Sequence, residues 1–299
     1  MKKNTGHRFK RYAFFAAVFC LLFAFSFPSA AASSDVKRLK VGKTYNVKLT
    51  GKGKHKLRFA YENKNDAQGY AARYLNIYID EKQVASLHGD GDSPEFVTWE
   101  LALCRIARNR RVLYVRDKGA NDTHKYMKVL EYDPESEKLV ELADLAELSR
   151  NTQSKGGSKL LSPWARGRLV GAEQNRLIIE WYDTDFAIGV FYIDVPYDID
   201  GQNVKQAGTS YKLKPQWSAK TRWTSRVNLT AATKPGGKTE SFRIARGQKV
   251  TGMKVRKKGS TLYIRVKNAQ GKKGWISDLT NANFIVMHGG FFEEAHFAG

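Results

Sequence analysis

The chain has 299 residues, with 51 Lys or Arg against 29 Asp or Glu and a formal net charge of +22. It contains two cysteines, Cys20 and Cys104, and Cys20 lies in an apolar N-terminal segment. A secreted form that retained Cys104 alone would have no internal disulfide, so its stability would come from ordinary hydrophobic cores.

The first thirty or so residues have the three parts of a secretory signal peptide in the expected order. A nearly continuous apolar stretch, 13–27, leads into the small residues of 28–32. The alternative is an uncleaved membrane anchor, but the apolar stretch is short for a bilayer span and a cleavage pattern follows it. Export to the periplasm, the cell surface or the medium is predicted, with 1–32 removed and a net charge of +17 remaining. The segment opens with five cations and no acid, namely Lys2, Lys3, Arg8, Lys10 and Arg11.

Short alternating segments between residues 36 and 195 predict antiparallel strands. The stretch 36–61 has the pattern of a basic hairpin, and 75–87 contains two strands joined at Asp80-Glu81-Lys82. Residues 139–148 fit either a strand or a short helix. Strands that turn about every ten residues predict an all-β domain over 33–215, as a sandwich, a barrel or a partial propeller.

A change of composition near residues 208–224 predicts a domain boundary. Between 221 and 282 the chain has fifteen Lys or Arg and only two acids, Glu240 and Asp278. Most of the positive charge of the exported chain therefore lies in about a fifth of its length. A second basic block, 37–58, has nine Lys or Arg and no acid.

The C-terminal region contains an ordered set of short segments: 226–229, 234–237, 242–250, 262–266 and the closing 271–279, which contains Gly274-Trp275-Ile276. In this order the segments resemble a bacterial Src-homology-3-like domain over residues 226–279. The resemblance implies a small β-barrel, here 220–282, that binds peptides or cell-wall glycopeptide and performs no chemistry. The chain departs from the family pattern at Thr230-Ala231-Ala232, where an Arg followed by small residues is usual.

Alternation within 262–266 predicts that Tyr263 faces outward, and Trp275 is expected in the core. The basic side chains of the two flanking turns are expected at one end of the barrel, where they would attract an anionic polymer through many weak contacts. The alternative is that they only keep a small barrel soluble. The predicted ligand contacts are Arg256, Lys257, Lys258, Tyr263, Lys272 and Lys273.

The N-terminal domain loosely resembles secreted β-domains that precede such modules in Firmicutes-like bacteria, through 132–134 and 181–189, and this gives no activity. The tail, 283–299, is expected to pack on a domain or a partner, because a free end this apolar is unfavourable in water. Four aromatic rings make it so: Phe284, Phe291, Phe292 and Phe297.

Motifs that carry chemistry are few. Asp90, Asp92 and Glu95 resemble part of a calcium loop, but His88 and Trp99 stand where further acids belong, and an ordinary polar turn is the alternative. No zinc-type histidine spacing and no nucleophile elbow occurs. No cofactor is predicted.

Two acids and a thiol complete the catalytic candidates. Asp183 and Asp185 stand two apart at a predicted hairpin turn, where turn capping is the alternative to a glycosidase pair. Cys104 lies in an apolar stretch that predicts a buried structural thiol.

Three functions are therefore compared. The first is an exported, non-catalytic envelope protein whose basic module contacts peptidoglycan, an anionic wall polymer or a peptide. The second is a wall- or polysaccharide-acting hydrolase targeted by that module. The third is a structural protein in which the barrel braces two domains. Nucleic acid suits a pI near 9.9, but export argues against it as the physiological partner.

Overall fold

The computed structural model describes the chain from Asp35 onward, with gaps. The predicted signal peptide, 1–32, and the residues of the candidate calcium loop, Asp90, Asp92 and Glu95, lie outside the described residues. The described residues are 35–51, 53–69, 71–89, 97–119, 126–150, 161–162, 165–185, 187–215, 221–258, 261–277 and 290–295.

The described residues are mostly in β-strands, which confirms the predicted all-β class. Every strand pairing among them is antiparallel, and the strands form three sheets. From Val36 onward the chain forms one compact unit.

The first sheet is a meander in which each described strand pairs with the next. The predicted turn at Asp80 and Glu81 is confirmed, with φ of 49° and 72°, and it joins two strands of this sheet. The predicted hairpin over 36–61 is only partly correct, because residues 36–39 leave this sheet and pair elsewhere. The strands are β2 (Thr44–Val47), β3 (His55–Asn65), β4 (Ala71–Ile79) and β5 (Lys82–His88).

The second sheet is buried on both faces. Cys104 and Val112 pack into one core, whereas the adjacent Leu103 and Leu113 pack into the other. Successive side chains of a strand point to opposite faces, so a strand between two cores needs an almost continuous apolar run. The strands lie in the order β1 (Val36–Leu39), β6 (Thr98–Ala107), β7 (Arg110–Lys118), β8 (Met127–Asp133) and β9 (Lys138–Asp144).

A short helix, α1 (Leu145–Arg150), follows β9, so the ambiguous stretch 139–148 contains both a strand and a helix. Asp144 separates them, because its Oδ1 accepts hydrogen bonds from the backbone N–H of Ala146 at 2.9 Å and of Glu147 at 3.4 Å. This is the arrangement of an N-cap. Burial raises the pKa of Asp144, against the lowering effect of the backbone hydrogen bonds from Met127, Ala146 and Glu147.

The third sheet contains all the remaining described strands. Its main path runs β10-β11-β12-β14-β18-β19-β20-β16-β17, with β13 paired to β12 and β15 paired to β18. The strands are β10 (Arg166–Glu173), β11 (Arg176–Asp185), β12 (Gly189–Asp200), β13 (Asn203–Gln206), β14 (Tyr211–Lys214), β15 (Arg222–Thr224), β16 (Leu229–Ala232), β17 (Glu240–Ile244), β18 (Lys249–Lys258), β19 (Thr261–Lys267) and β20 (Lys273–Ser277).

The ladder of the third sheet crosses the predicted domain boundary at 215–220. Strand β14 pairs with the second half of β18, through Tyr211 opposite Val255 and Lys212 opposite Lys254. Strand β15 pairs with the first half of the same strand. Buried residues on both sides of the boundary belong to one hydrophobic core. The boundary therefore marks a change of composition, while the described strands on its two sides share one hydrogen-bonded ladder and one core.

The described part of the tail, 290–295, packs inside this core. Phe291 and Phe292 are fully buried. The Phe292 ring stacks on Trp223 with 4.8 Å between centroids, and the Phe291 N–H donates to the Ala187 carbonyl at 2.9 Å. Trp223 fits beneath β18 because Gly252 has no side chain, since a Cβ there would lie 2.2 Å from the indole ring.

Candidate functional site

A basic surface covers the outward side of the strands around β18. Inward side chains such as Leu262, Ile264 and Val266 are buried in the core, and the residues between them on β19 face outward, as alternation predicted. We call this outward surface the basic face. Its residues are Lys212, Lys254, Arg256, Tyr263, Arg265, Lys267, Lys273 and Trp275.

One row of side chains crosses four strands of the basic face in register. Lys212 on β14 lies opposite Lys254 on β18, which lies opposite Arg265 on β19, which lies opposite Trp275 on β20. Directly opposed residues are the closest side-chain neighbours in an antiparallel sheet. The row therefore places three cations and one aromatic ring on consecutive strands.

Trp275 lies beneath two of these cations. Its ring centroid is 5.7 Å from Lys254 Nζ and 5.8 Å from Arg265 Cζ, within the range of cation–π attraction. Trp275 was expected to be buried, and its exposed fraction of 9 % confirms this. Its neighbour Ile276 packs into the large core cluster, so alternation points the Trp275 ring to the opposite side of β20.

The cations of the basic face are not neutralised within the described chain. No described carboxylate forms an ion pair with Lys212, Lys254, Arg256, Arg265 or Lys267. The Nε atoms of both arginines are also buried without a hydrogen-bond acceptor among the described residues. A buried N–H group that lacks an acceptor is unfavourable, and the remaining N–H groups of each guanidinium are the ones that would pair with an anionic ligand.

The structure brings together only some of the predicted contacts. Arg256 lies directly opposite Tyr263 on the basic face, so these two predicted contacts are neighbours. Lys258 lies opposite Thr261 at one end of β19, whereas Lys273 lies opposite Lys267 at the other end.

The predicted placement of the two lysine pairs at one end is therefore wrong. Lys257 and Lys258 are about 17–20 Å from Lys273 along β19, at about 3.4 Å per residue, and Lys272 lies one residue further away. The physical reason is general, because successive turns of an antiparallel meander lie at opposite ends of the strand they share.

Sequence reasoning missed several members of the basic face. A β-bulge at Met253, just before Lys254, shifts the alternation of β18 by one residue. Lys212 lies in the segment interpreted as a domain boundary. A basic residue flanked by Tyr211 and Leu213 was the available indication of a strand there.

Beside the basic face, a group of acids is neutralised internally. Glu180 on β11 is buried and accepts hydrogen bonds from Arg168 Nε at 2.7 Å and from Lys214 Nζ. Lys214 also donates to Asp194 Oδ1 at 2.9 Å. Burial acts to raise the pKa of Glu180, but the hydrogen bonds from Lys214 and Arg168 outweigh it and hold the pKa below its usual range.

Replacing Glu180 with Gln is expected to lower the free energy of unfolding by about 1–3 kcal/mol at neutral pH, since two donors lose a buried charged acceptor. A carboxylate with a lowered pKa stabilises the fold above its unfolded pKa and loses that effect as the pH falls through the folded value. The difference between wild type and E180Q should therefore shrink below about pH 4. Urea titrations across pH measure both effects.

The control for E180Q is Glu137→Gln, which removes an ion pair with Lys82. Both side chains of this pair are 60 % exposed. Exposed pairs contribute little, so this change should lower the stability much less than E180Q does. An equal loss in both variants, or a constant E180Q deficit down to acid pH, would contradict the role given to Glu180.

The side chains that were weighed as catalytic candidates have structural contacts. The carboxylate of Asp183 accepts hydrogen bonds from the backbone N–H of Ser162 at 2.7 Å and of Thr184 at 2.8 Å. Asp185 accepts one from the Ala187 N–H at 2.8 Å. Cys104 is buried, as predicted, and burial raises the pKa of its thiol to about 12.

Among the described residues, no group of three or more His, Cys, Asp or Glu is placed to hold a metal ion. A search of the same residues for helices finds none with the length and apolar character needed to span a bilayer.

Fold and site together define an all-β protein with a cationic, aromatic sheet face. Comparisons with protein-family models, with curated proteins and with solved structures found no match.

Proposed function

We propose that this protein is an exported, non-catalytic component of the cell envelope that binds peptidoglycan or an anionic wall polymer through the basic face. The observation that supports this most directly is the row Lys212, Lys254, Arg265 and Trp275, in which cations without described carboxylate partners lie in register beside an aromatic ring.

The physics of such a surface suits a repeating anion better than a single one. Each half-exposed cation attracts an anion weakly in salt water, by a fraction of a kcal/mol. Several cations at neighbouring sheet positions act additively on a polymer that carries many charges, whereas a small anion meets only one or two of them. The aromatic rings add contact area that does not depend on salt.

The N-terminal signal and the Src-homology-3-like character of 220–282 remain predictions from sequence, and both agree with this proposal. Export would place the basic face among envelope polymers, and the family resemblance implies a non-catalytic wall-binding module. The charge excess of residues 221–282 supports the same interpretation.

The alternative favoured by a specific observation is a structural brace. The third sheet runs without interruption from β14 into β18, and the buried Phe291 ties the tail to Ala187 on the other side of the predicted boundary. Under this alternative the C-terminal strands stiffen the molecule, and the basic face only keeps it in solution.

Co-sedimentation of residues 33–299 with purified sacculi tests the proposal. Retention is expected at low salt and release at high salt, because the attraction is largely electrostatic. Sacculi stripped of their anionic polymer by acid distinguish the two ligands, since weaker retention on them identifies the polymer and unchanged retention identifies peptidoglycan. Absence of retention at low salt would contradict the proposal and leave the brace alternative.

A further inference from the structure

We propose that the ligand surface extends beyond the C-terminal strands onto β10, β11 and β12, and that its occupant is an extended anionic polysaccharide rather than a short fragment. This inference rests on the proposed function and adds to it the chemical class and the length of the ligand.

A second row of side chains continues the first one on the same side of the sheet. Arg166 on β10 lies opposite Tyr182 on β11, which lies opposite Tyr192 on β12, which lies opposite Lys214 on β14. Lys214 is two residues from Lys212, so both point to the same face of β14. The two rows therefore meet on β14 and form one track across seven strands.

Burial of the intervening residues confirms that the two rows share a face. Ile193 and Leu213, which are opposite each other, are buried in the core, as are Tyr211 and Val255. Since neighbours on a strand point to opposite sides, Tyr192 and Lys212 both point away from that core. The continuous ladder from β12 through β14 to β18 keeps these positions on one surface.

The second row has the same chemistry as the first. The rings of Tyr182 and Tyr192 are tilted by 32° with 5.5 Å between centroids, and Arg166 Cζ lies 5.6 Å from the Tyr182 centroid. The row thus combines an aromatic platform with one available cation, Arg166, because Lys214 at the other end is paired with Glu180 and Asp194. Aromatic faces take the apolar side of a sugar ring, while cations pair with its charged substituents.

The acids near the track are already paired and do not repel an anionic ligand. Glu180 and Asp194 both form ion pairs with Lys214, and Glu180 also pairs with Arg168. No described carboxylate forms an ion pair with Arg166 or Lys212. The charge that remains along the track is therefore positive.

The length of the track selects the length of its ligand. With about 4.8 Å between neighbouring strands, the seven strands from β10 to β20 span about 29 Å, and the four strands of the first row span about 14 Å. A short oligomer fits within the first row alone. A longer chain contacts both rows, and the second contact is made without a second loss of translational freedom.

The experiment compares defined oligomers of galacturonic acid, an anionic sugar, by titration calorimetry with residues 33–299. The decamer is expected to bind at least tenfold more tightly than the trimer. The double variant Tyr182→Ala with Tyr192→Ala should lose about tenfold in affinity for the decamer and leave trimer affinity unchanged, because only the longer chain reaches these rings.

A matched control replaces Tyr74 and Tyr78 with Ala, two half-buried tyrosines on β4 in a different sheet. This control should change neither affinity. The variant Arg166→Gln tests the second row without removing a ring, in case the double variant does not fold, and should weaken decamer binding alone.

The outcomes separate the two proposals. Equal affinity of trimer and decamer, or an equal loss for both in the Tyr182/Tyr192 variant, overturns the extended track but leaves the basic face as a ligand site. Absence of binding by either oligomer overturns the polysaccharide as the ligand class, whereas the proposed function is contradicted only if retention on sacculi at low salt also fails. Single-stranded DNA of equal charge that shows the same gain with length and the same loss in the variant would overturn the polysaccharide as the ligand class.

Discussion

Replacing Phe292 with Ala is expected to lower the free energy of unfolding by about 3–5 kcal/mol. The Phe292 ring is fully buried and stacks on Trp223, and Phe291 lies edge-on to it at 6.4 Å. Ala would leave a cavity lined by two aromatic rings, which collapse poorly because their neighbours are held by sheet hydrogen bonds.

The tail backbone adds to the expected cost of deleting residues 290–299. The Arg226 N–H donates to the Phe291 carbonyl at 2.8 Å, and the Glu294 carboxylate accepts from the Thr224 N–H at 2.7 Å. Deletion would remove these bonds as well as both rings, so it should destabilise the protein at least as much as F292A.

Urea denaturation followed by tryptophan fluorescence measures both changes. Tyr61→Ala is the control, since Tyr61 is 42 % exposed and its removal should cost under about 1 kcal/mol. Phe292→Leu, which keeps most of the volume, should fall between wild type and F292A. An F292A protein as stable as Y61A would show that the tail contributes no packing energy.

Removing four charges from the basic face is expected to weaken binding to anionic wall polymer about thirtyfold at low salt. Each half-exposed cation contributes about 0.5 kcal/mol, so four contribute about 2 kcal/mol. At about 1 M salt the Debye length is near 3 Å, and the variant should then bind almost as wild type does. The changes are Lys212→Gln, Lys254→Gln, Arg265→Gln and Lys267→Gln.

The matched control removes the same number of charges from exposed sites away from this face. It replaces Lys43, Lys48, Lys54 and Lys138 with Gln, all exposed positions on strands or turns of the other two sheets. Its binding should change little, because screening limits each charge to about one Debye length. If both fourfold variants lose affinity equally, net charge rather than the basic face attracts the polymer.

Tyr263→Ala distinguishes contact from long-range attraction on the same face. An aromatic platform works by contact area, so its loss should weaken binding by a factor that changes little with salt. A loss that disappears at high salt would instead assign Tyr263 an indirect effect on its neighbour Arg256.

The local elements were largely predictable from the sequence. Alternation identified the outward positions of β19, and the turn at Asp80 and Glu81 was located correctly. Alternation assigns a side chain to a face through the pleat of its own strand, and this information is contained in a few consecutive residues.

Strand partners were not predictable, because pairing depends on residues far apart in the chain. Residues 36–39 fit a hairpin with their neighbours but pair with β6, about sixty residues later. Lys258 and Lys273 lie at opposite ends of β19 because the two hairpins that share this strand turn at its two ends. Alternation gives the face of a side chain but not the end of the strand at which a turn lies. The bulge at Met253 also reverses the facing of Lys254, and no composition rule marks it.

The assembled site was therefore only partly visible in the sequence. The charge excess of 221–282 covers most of the basic face, and Arg256 and Tyr263, predicted separately as ligand contacts, lie opposite each other. The residues that unite the face, Lys212 and Lys254, come together only when β14 joins β18 across a segment that composition marks as a boundary.

The way β18 is shared between β14 and β15 has a consequence for how this chain can be cut. A fragment that begins near residue 220 would keep β15 but lose β14, leaving the second half of β18 with unpaired N–H and C=O groups along one edge. A bare edge of this kind recruits strands from other molecules, so the fragment should self-associate and precipitate. By the same argument, a recombination event that transferred only the segment after residue 220 would create an aggregation-prone protein. Inheritance of β14 together with β18–β20 as one unit would therefore be favoured.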